Sequence, residues 1–142
     1  MDTLTHMALG AVVGEALAGK KLGKKALLLG AAAQSLPDID FLAAFWLSPA
    51  ENLLAHRGFT HSFLFIILIT PILAWLANRW RTVHFMSLRK WTYFFGIQLL
   101  IHLVLDSLNA YGVGWLEPFN HFRFSFHVLY VADPFFTLSL GL

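Results

Sequence analysis

Ser62–Trp80 reads SFLFIILITPILAWLANRW and carries no charge before Arg79. As a helix, these nineteen residues rise 1.5 Å each and reach about 28 Å, close to the hydrocarbon thickness of a bilayer. Pro71 lies inside the stretch, which a membrane helix tolerates because its neighbours re-satisfy the freed backbone groups. Trp75 and Trp80 sit towards the end bearing Arg79 and Arg81, where interfacial aromatics belong. The stretch therefore predicts a spanning helix, and with it an all-α membrane protein.

Working outward, Trp91–Asn109 (WTYFFGIQLLIHLVLDSLN) predicts a second span, apolar except for Gln98, His102, Asp106 and small polar residues at its end. The link between the two, Arg79–Lys90, is short and basic, so they pair as an antiparallel hairpin turned at the cytoplasm. Upstream, two shorter helices are expected, from about Leu4 to Leu17 ending at Gly19, and from about Lys25 to Leu36 ending at Pro37. They are marginal as full spans and read as tilted, half-buried or re-entrant. Phe41–Leu47 is a further short apolar stretch. Past Gly112, His121–His127 alternates strictly, with Phe122, Phe124 and Phe126 on one side of an extended segment. Asp133-Pro134 has the form of a helix start. The sequence stops inside that apolar run, which points to a truncated chain or a short re-entrant helix. The expected architecture is a polytopic membrane bundle of about four to five helices, one membrane-embedded domain over residues 1–142.

Composition agrees. The chain of 142 residues is 58% hydrophobic and only 13% charged, with a mean hydropathy of +0.65. That is too little charge to coat a soluble monomer, and 15% aromatics exclude a disordered chain. The absence of cysteine excludes disulfides, iron–sulfur clusters, thiolate zinc sites and cysteine nucleophiles. Eight of the ten basic residues fall in Lys20–Lys25 and Arg79–Lys90, between apolar runs. That is the placement of topology anchors, so no nucleic-acid partner is expected. The first apolar run is preceded by Asp2 and followed by lysines, the reverse of a signal peptide.

With both basic links at the cytoplasm, the polar residues sort themselves. His6, then Asp38 and Asp40, then His56, Arg57 and His61, then His102 and Asp106 all fall at the opposite end of the bundle. His102 and Asp106, four apart, share a helix face about 40° wide and can share an ion. A His–Asp hydrogen bond tying helices together would need the same spacing. His56 and His61 would not share a helical face, but Gly58 between them suggests that the helix has not begun. Thr60 as its N-cap would leave His61 in the first turn and His56 in the incoming loop. Arg57 beside such a cluster suits a phosphate or carboxylate, or a salt bridge to Asp38 or Asp40. Of those two aspartates, one would bind metal and the other orient a histidine. His84 sits at the wrong end, His121 and His127 are open, and Asp133 reads as a cap. Nitrogen and oxygen donors suit Zn, Mn or Fe, and seven of them exceed one zinc's needs, so two or more ions or some outer partners are implied. There is no HExxH, Gly-x-Ser-x-Gly elbow, Walker A or GxGxxG motif. A triad drawn from Ser62, His61 and Asp106 has nothing to position the serine.

These motifs carry a family resemblance. Met1-Asp-Thr-Leu-Thr-His6 with Gly10 and Gly14, Pro37-Asp38-Ile-Asp40, His56-Arg-Gly-Phe-Thr-His-Ser62, His102-Leu-Val-Leu-Asp106, Asn109-Ala-Tyr-Gly112 and Asp133-Pro134 follow one another along nearly the whole chain. In that order they resemble the YdjM-like family, LexA-binding, inner-membrane-associated metal-dependent hydrolases. Many of its members continue further with more spans. The order His, Asp, His, His-x-x-x-Asp is also distantly similar to zinc-dependent phospholipase C and the related single-strand nucleases. That likeness implies ligand roles for His6, Asp38, His61, His102 and Asp106.

The expectation is a multi-pass inner-membrane hydrolase with its metal centre towards the non-cytoplasmic side, acting on a phosphoester of a lipid or lipid-linked substrate. His6, Asp38, His56, His61, His102 and Asp106 would hold the metal. Arg57 and Arg123 would hold the phosphate, and Asp40 would take the proton. The rivals are a metal transporter or sensor using the same ligands, and an adaptor that recruits a regulator such as LexA through the basic loops.

Overall fold

The structure, a computed structural model, describes residues 2–46, 57–80, 86–128 and 139. Four α-helices carry it: α1 (Thr3–Leu22), α2 (Lys24–Ser35), α3 (Phe63–Arg79) and α4 (Leu88–Ser107). Two 3₁₀ segments, Pro37–Phe45 and Phe59–His61, lie between α2 and α3. Among the described residues there is no strand; one isolated antiparallel bridge joins Val113 to Phe124.

Helix ends follow local chemistry. Asp2 caps α1, its carboxylate accepting from the Thr5 N–H at 3.0 Å and the Thr5 hydroxyl at 2.6 Å. The helix then runs through Lys20 and Lys21, past the expected stop at Gly19, because lysine is a good helix former. It ends only at Gly23, whose φ of +56° suits glycine and whose N–H reaches the Gly19 carbonyl at 2.8 Å. The expected lysine link is thus a single residue. Ser62, not Thr60, caps α3, accepting from Phe65 N–H at 3.1 Å, and Thr60 sits one turn earlier in the 3₁₀ segment.

α1 and α2 pack almost backbone to backbone. A Cβ added to Gly10 would land on the Gly30 carbonyl, one on Gly30 would land on the Gly10 carbonyl, and one on Gly14 would meet Ala26. Small residues at this seam are the device by which helices approach when no apolar contrast drives them together. Gln98 of α4 donates to the Gly10 carbonyl at 3.1 Å and ties this pair to the α3–α4 pair.

Apolar side chains lie both inside and outside: Trp91, Phe94, Leu99 and Leu103 are buried. Alanines, glycines, Gln34, Gln98 and the site residues are buried, while Leu4, Leu28, Ile67, Leu68, Ile72 and Leu76 point outward and are at least half exposed. Aromatics fill one end of the interior, where Trp91 stacks on Phe95 with ring centroids 5.7 Å apart. Among the described residues no helix is long and apolar enough to cross a membrane. The two expected spans fall short for identifiable reasons. α3 has 17 residues, and the 20 of α4 include Arg89, Lys90, Gln98, His102 and Asp106.

Past α4 the chain forms a strap. Asn109 turns it, its side-chain oxygen accepting from Tyr111 N–H (2.9 Å) and Gly112 N–H (3.3 Å), with Gly112 at φ +69°. Trp115 donates to Ser107 Oγ at 2.8 Å and lies flat on Phe124, centroids 4.6 Å apart. Phe122 and Phe126 of the alternating stretch are exposed. Asp133-Pro134, His84 and His56 lie outside the described residues.

Candidate metal centre

His6 enters from the first turn of α1, fixed by the Asp2 cap just ahead of it. Asp38 comes from the 3₁₀ turn that Pro37 starts. His61 ends the second 3₁₀ turn. His102 and Asp106 share a face of α4, one turn apart. All five are buried. One ligand atom each from His6, Asp38, His102 and Asp106 lie within 4.8 Å of one another.

His61 closes the group. Its Nε2 is 3.0 Å from His102 Nε2, 3.3 Å from Asp106 Oδ2 and 3.7 Å from Asp38 Oδ1. His6 Nε2 lies 3.0 Å from Asp106 Oδ1, and the His6 ring stacks on that of His102 with centroids 3.8 Å apart.

The outward faces of the rings settle their protons. His102 Nδ1 lies 2.6 Å from the Gln34 backbone carbonyl, which only accepts, so Nδ1 carries the hydrogen. His6 Nδ1 faces the Gln34 side-chain oxygen at 3.4 Å. The Thr60 hydroxyl donates to Asp40 at 3.2 Å and so accepts from His61 Nδ1, 3.0 Å away. A neutral His102 ring therefore turns an unprotonated Nε2 inward, and His61 does the same where its Nδ1 keeps the hydrogen. Three imidazole nitrogens and two carboxylates face a common point, a donor set that could hold a cation. Donor types and their separation fit one divalent ion of the zinc class.

Electrostatics agree. Burial works against the charge on Asp38, but the His61 and His102 rings and the Thr3 hydroxyl outweigh it and hold its pKa below the ordinary carboxylate value. Burial likewise pushes the His61 pKa down, against the pull of Asp38 and Asp40.

Asp40 stands outside the ring of ligand atoms. Its Oδ2 accepts from the Arg57 backbone N–H at 2.8 Å and from Thr60. Arg57 sits at φ +60°, a left-handed conformation that costs a residue with a side chain about 1 kcal/mol or more. Asp40 holds its N–H, and its carbonyl accepts from Gly114 N–H at 3.1 Å. The Arg57 side chain is thereby aimed inward. Its Nε lies 3.4 Å from Asp106 Oδ2, and its guanidinium sits over Tyr111, 5.8 Å from the ring centroid. Arg123 is near enough for its charge to oppose that of Arg57. His121 pairs instead with Glu117 at 2.8 Å on an exposed face, and His127 lies beside Ser125.

Three contributors were missed from the sequence. Thr3 donates to Asp38 Oδ2 at 3.2 Å, Gln34 orients two histidines, and Thr60 links Asp40 to His61. Gln34 carried the one available signal, a polar residue inside an alanine-rich helix.

The family described as YdjM inner membrane protein matches over residues 1–142. The chain belongs to this family. It is 33% identical to inner membrane protein YbcI of Escherichia coli (strain K12) over 123 residues, 85% of this chain and 69% of that protein. It is 28% identical to YfhP of Bacillus subtilis (strain 168), an uncharacterized protein, over 149 aligned positions covering 98% of this chain and 44% of that one. No solved structure matches. Membership makes the chain a membrane-associated protein of the inner membrane.

Two predictions follow from the hydrogen-bond chain. Thr60→Val removes the nearer partner of His61 Nδ1, leaving Asp40 Oδ2 at 3.4 Å, and should weaken zinc binding by about 10-fold, the low end for deleting an outer partner. Calorimetric zinc titration checks this; unchanged affinity would show that Thr60 does not set the ring. The second concerns pH. Unfolded His61 takes a proton near pH 6.5 and folded His61 only at lower pH. Between the two the unfolded chain binds more protons, so stability is fully present above about pH 6.5 and drains as pH falls through the folded value. The metal-free protein should melt at a lower temperature at about pH 5 than at about pH 7.5, and should hold zinc less well there. Equal melting temperatures would contradict a lowered His61 pKa in the folded chain.

Proposed function

We propose that this chain is a metal-dependent hydrolase of the inner membrane, acting on a phosphoester of a lipid or lipid-linked substrate. The observation that carries the reading is the inward convergence of three imidazole nitrogens and two carboxylates. His6, Asp38, His61, His102 and Asp106 would hold one divalent ion, with zinc preferred over manganese or iron for this donor set. Such an ion supplies Lewis acidity towards a phosphoryl oxygen and lowers the pKa of a water.

The chain's own residues do the rest. Arg57, pinned at both ends of its backbone, presents a guanidinium to phosphoryl oxygens, and Arg123 adds positive field from the strap. Asp38 is the cluster carboxylate nearest solvent, its side chain 11% exposed against none for Asp106. As a ligand with its Oδ2 held by the Thr3 hydroxyl, it would not also take the proton. Asp40, assigned that task from sequence, has Oδ2 occupied by Thr60 and Arg57 and acts as a positioning residue. The outward leucines and isoleucines favour a substrate delivered from lipid.

The test is elemental analysis of detergent-purified protein, followed by release of water-soluble phosphoester from phospholipid vesicles. About one equivalent of zinc is expected, with turnover lost in His61→Ala. Protein that carries no divalent metal would end the reading. Protein that holds metal without turning over any lipid phosphoester would leave a metal centre that is not a hydrolase.

A further inference from the structure

At the end of the bundle away from the histidines there is a cavity of about 340 Å³. Lys20 and Lys21 of α1 and Lys90 of α4 stand at its mouth, and its walls include Leu17, Met86 and Phe94. Some fourteen residues of α1 separate His6 from Lys20, about 21 Å of helix, so this cavity is distinct from the metal centre.

Three features mark it as a place for an anion with a greasy tail. First, like charges converge. The Lys90 ammonium comes within hydrogen-bonding reach of Lys21 and lowers the Lys21 pKa. Among the described residues no carboxylate forms an ion pair with any of the three lysines. Second, α4 begins at this cavity with Arg89 and Lys90 in its first turn, no acidic residue there and no side-chain cap on its N–H groups. Basic residues at that end oppose the helix dipole, so the local field is positive and no described carboxylate answers it. Third, the walls are mostly apolar. Met86 and Phe94 are buried beneath the lysines, while Leu17 and Tyr93 are half exposed and lead to the outer face of the bundle. A free phosphate has no use for such walls, and a neutral acyl chain has none for the lysines.

We propose that this cavity binds an anionic phospholipid of the surrounding bilayer, its phosphate between Lys21 and Lys90 and an acyl chain along Leu17 and Phe94. Basic pockets between helices at a membrane boundary take lipid head groups in this way. Family membership supplies the lipid, and the site is independent of whether the metal centre hydrolyses anything.

Native mass spectrometry of the purified full chain tests this, with phosphatidylglycerol, phosphatidylcholine or glycerol phosphate added. Wild type should retain phosphatidylglycerol about tenfold or more over phosphatidylcholine, and excess glycerol phosphate should not displace it. Lys21→Gln/Lys90→Gln should abolish the preference, whereas Lys24→Gln/Lys25→Gln, with the same change in net charge, should keep it. Ala16→Trp, which fills the cavity and leaves every lysine in place, should also lose the lipid. These positions are on the surface, and an unchanged melting temperature in phosphatidylcholine micelles shows that each variant is folded. The proposal is overturned if wild type shows no preference, if glycerol phosphate competes as well as the lipid, if the two lysine pairs behave alike, or if Ala16→Trp binds normally.

Discussion

Asp106→Asn is expected to leave the purified protein with less than about a tenth of the wild-type zinc and no hydrolytic turnover, the largest functional loss of any single substitution in the chain. The change is nearly isosteric, so it tests charge rather than packing. Asp106 is the residue on which the others meet. One oxygen faces His6 and the other faces His61 and Arg57. An amide there places a nitrogen donor or a neutral oxygen where a charged acceptor belongs, and it leaves the Arg57 guanidinium short of a buried counter-charge. Destabilisation of several kcal/mol is therefore expected alongside the loss of metal. Elemental analysis and melting with and without added zinc separate the two effects. Wild type should gain stability with zinc as RT ln(1 + [Zn]/Kd), and Asp106→Asn should gain none. Full metal occupancy in the variant would remove Asp106 from the ligand set.

The second large effect is structural. Gly30→Val should lower stability by about 3 kcal/mol, at the upper end for overpacking, because the neighbour it strikes is backbone that cannot rotate away. A Cβ at Gly30 meets the Gly10 carbonyl, and on its other side the Gln98 amide at 2.9 Å. The variant therefore pries α1 from α2 and loosens the bond from Gln98 to Gly10 at once. His6 rides on α1 and its hydrogen-bond partner Gln34 on α2, so zinc affinity should fall together with the melting temperature although residue 30 touches no ligand. Gly96→Ala is the control. Its Cβ would meet only the Thr70 methyl at 3.5 Å, an ordinary contact, and should cost little. Comparable losses in both variants would mean that the α1–α2 seam has no special tightness.

Helix identity was legible because it depends on neighbours in sequence. Ser62 and Pro37 each act on the backbone within one turn, and the helix boundaries placed beside them fall within a few residues of those observed. The one long miss, α1 running on through Lys20 and Lys21, came from reading a change of polarity as a change of structure. The apolar runs also suggested full spans, whereas α3 has 17 residues and the 20 of α4 include charged and polar ones.

His102 and Asp106 were legible as a pair for the same local reason, four residues being one turn of helix. That His6 reaches Asp106 across 100 positions of sequence was not. The closeness of the Gly10–Gly30 crossing decided it, together with the Gln98 bond that sets α4 against that seam. The sequence by itself determined the helices, the family and the kinds of donor at one end of the chain. Only the tertiary structure decided which donors meet, which nitrogen of each ring points inward, and that Asp40 works through Thr60. Ring orientation is set by acceptors on other elements, and no periodicity along a single helix encodes the angle at which a second one crosses it.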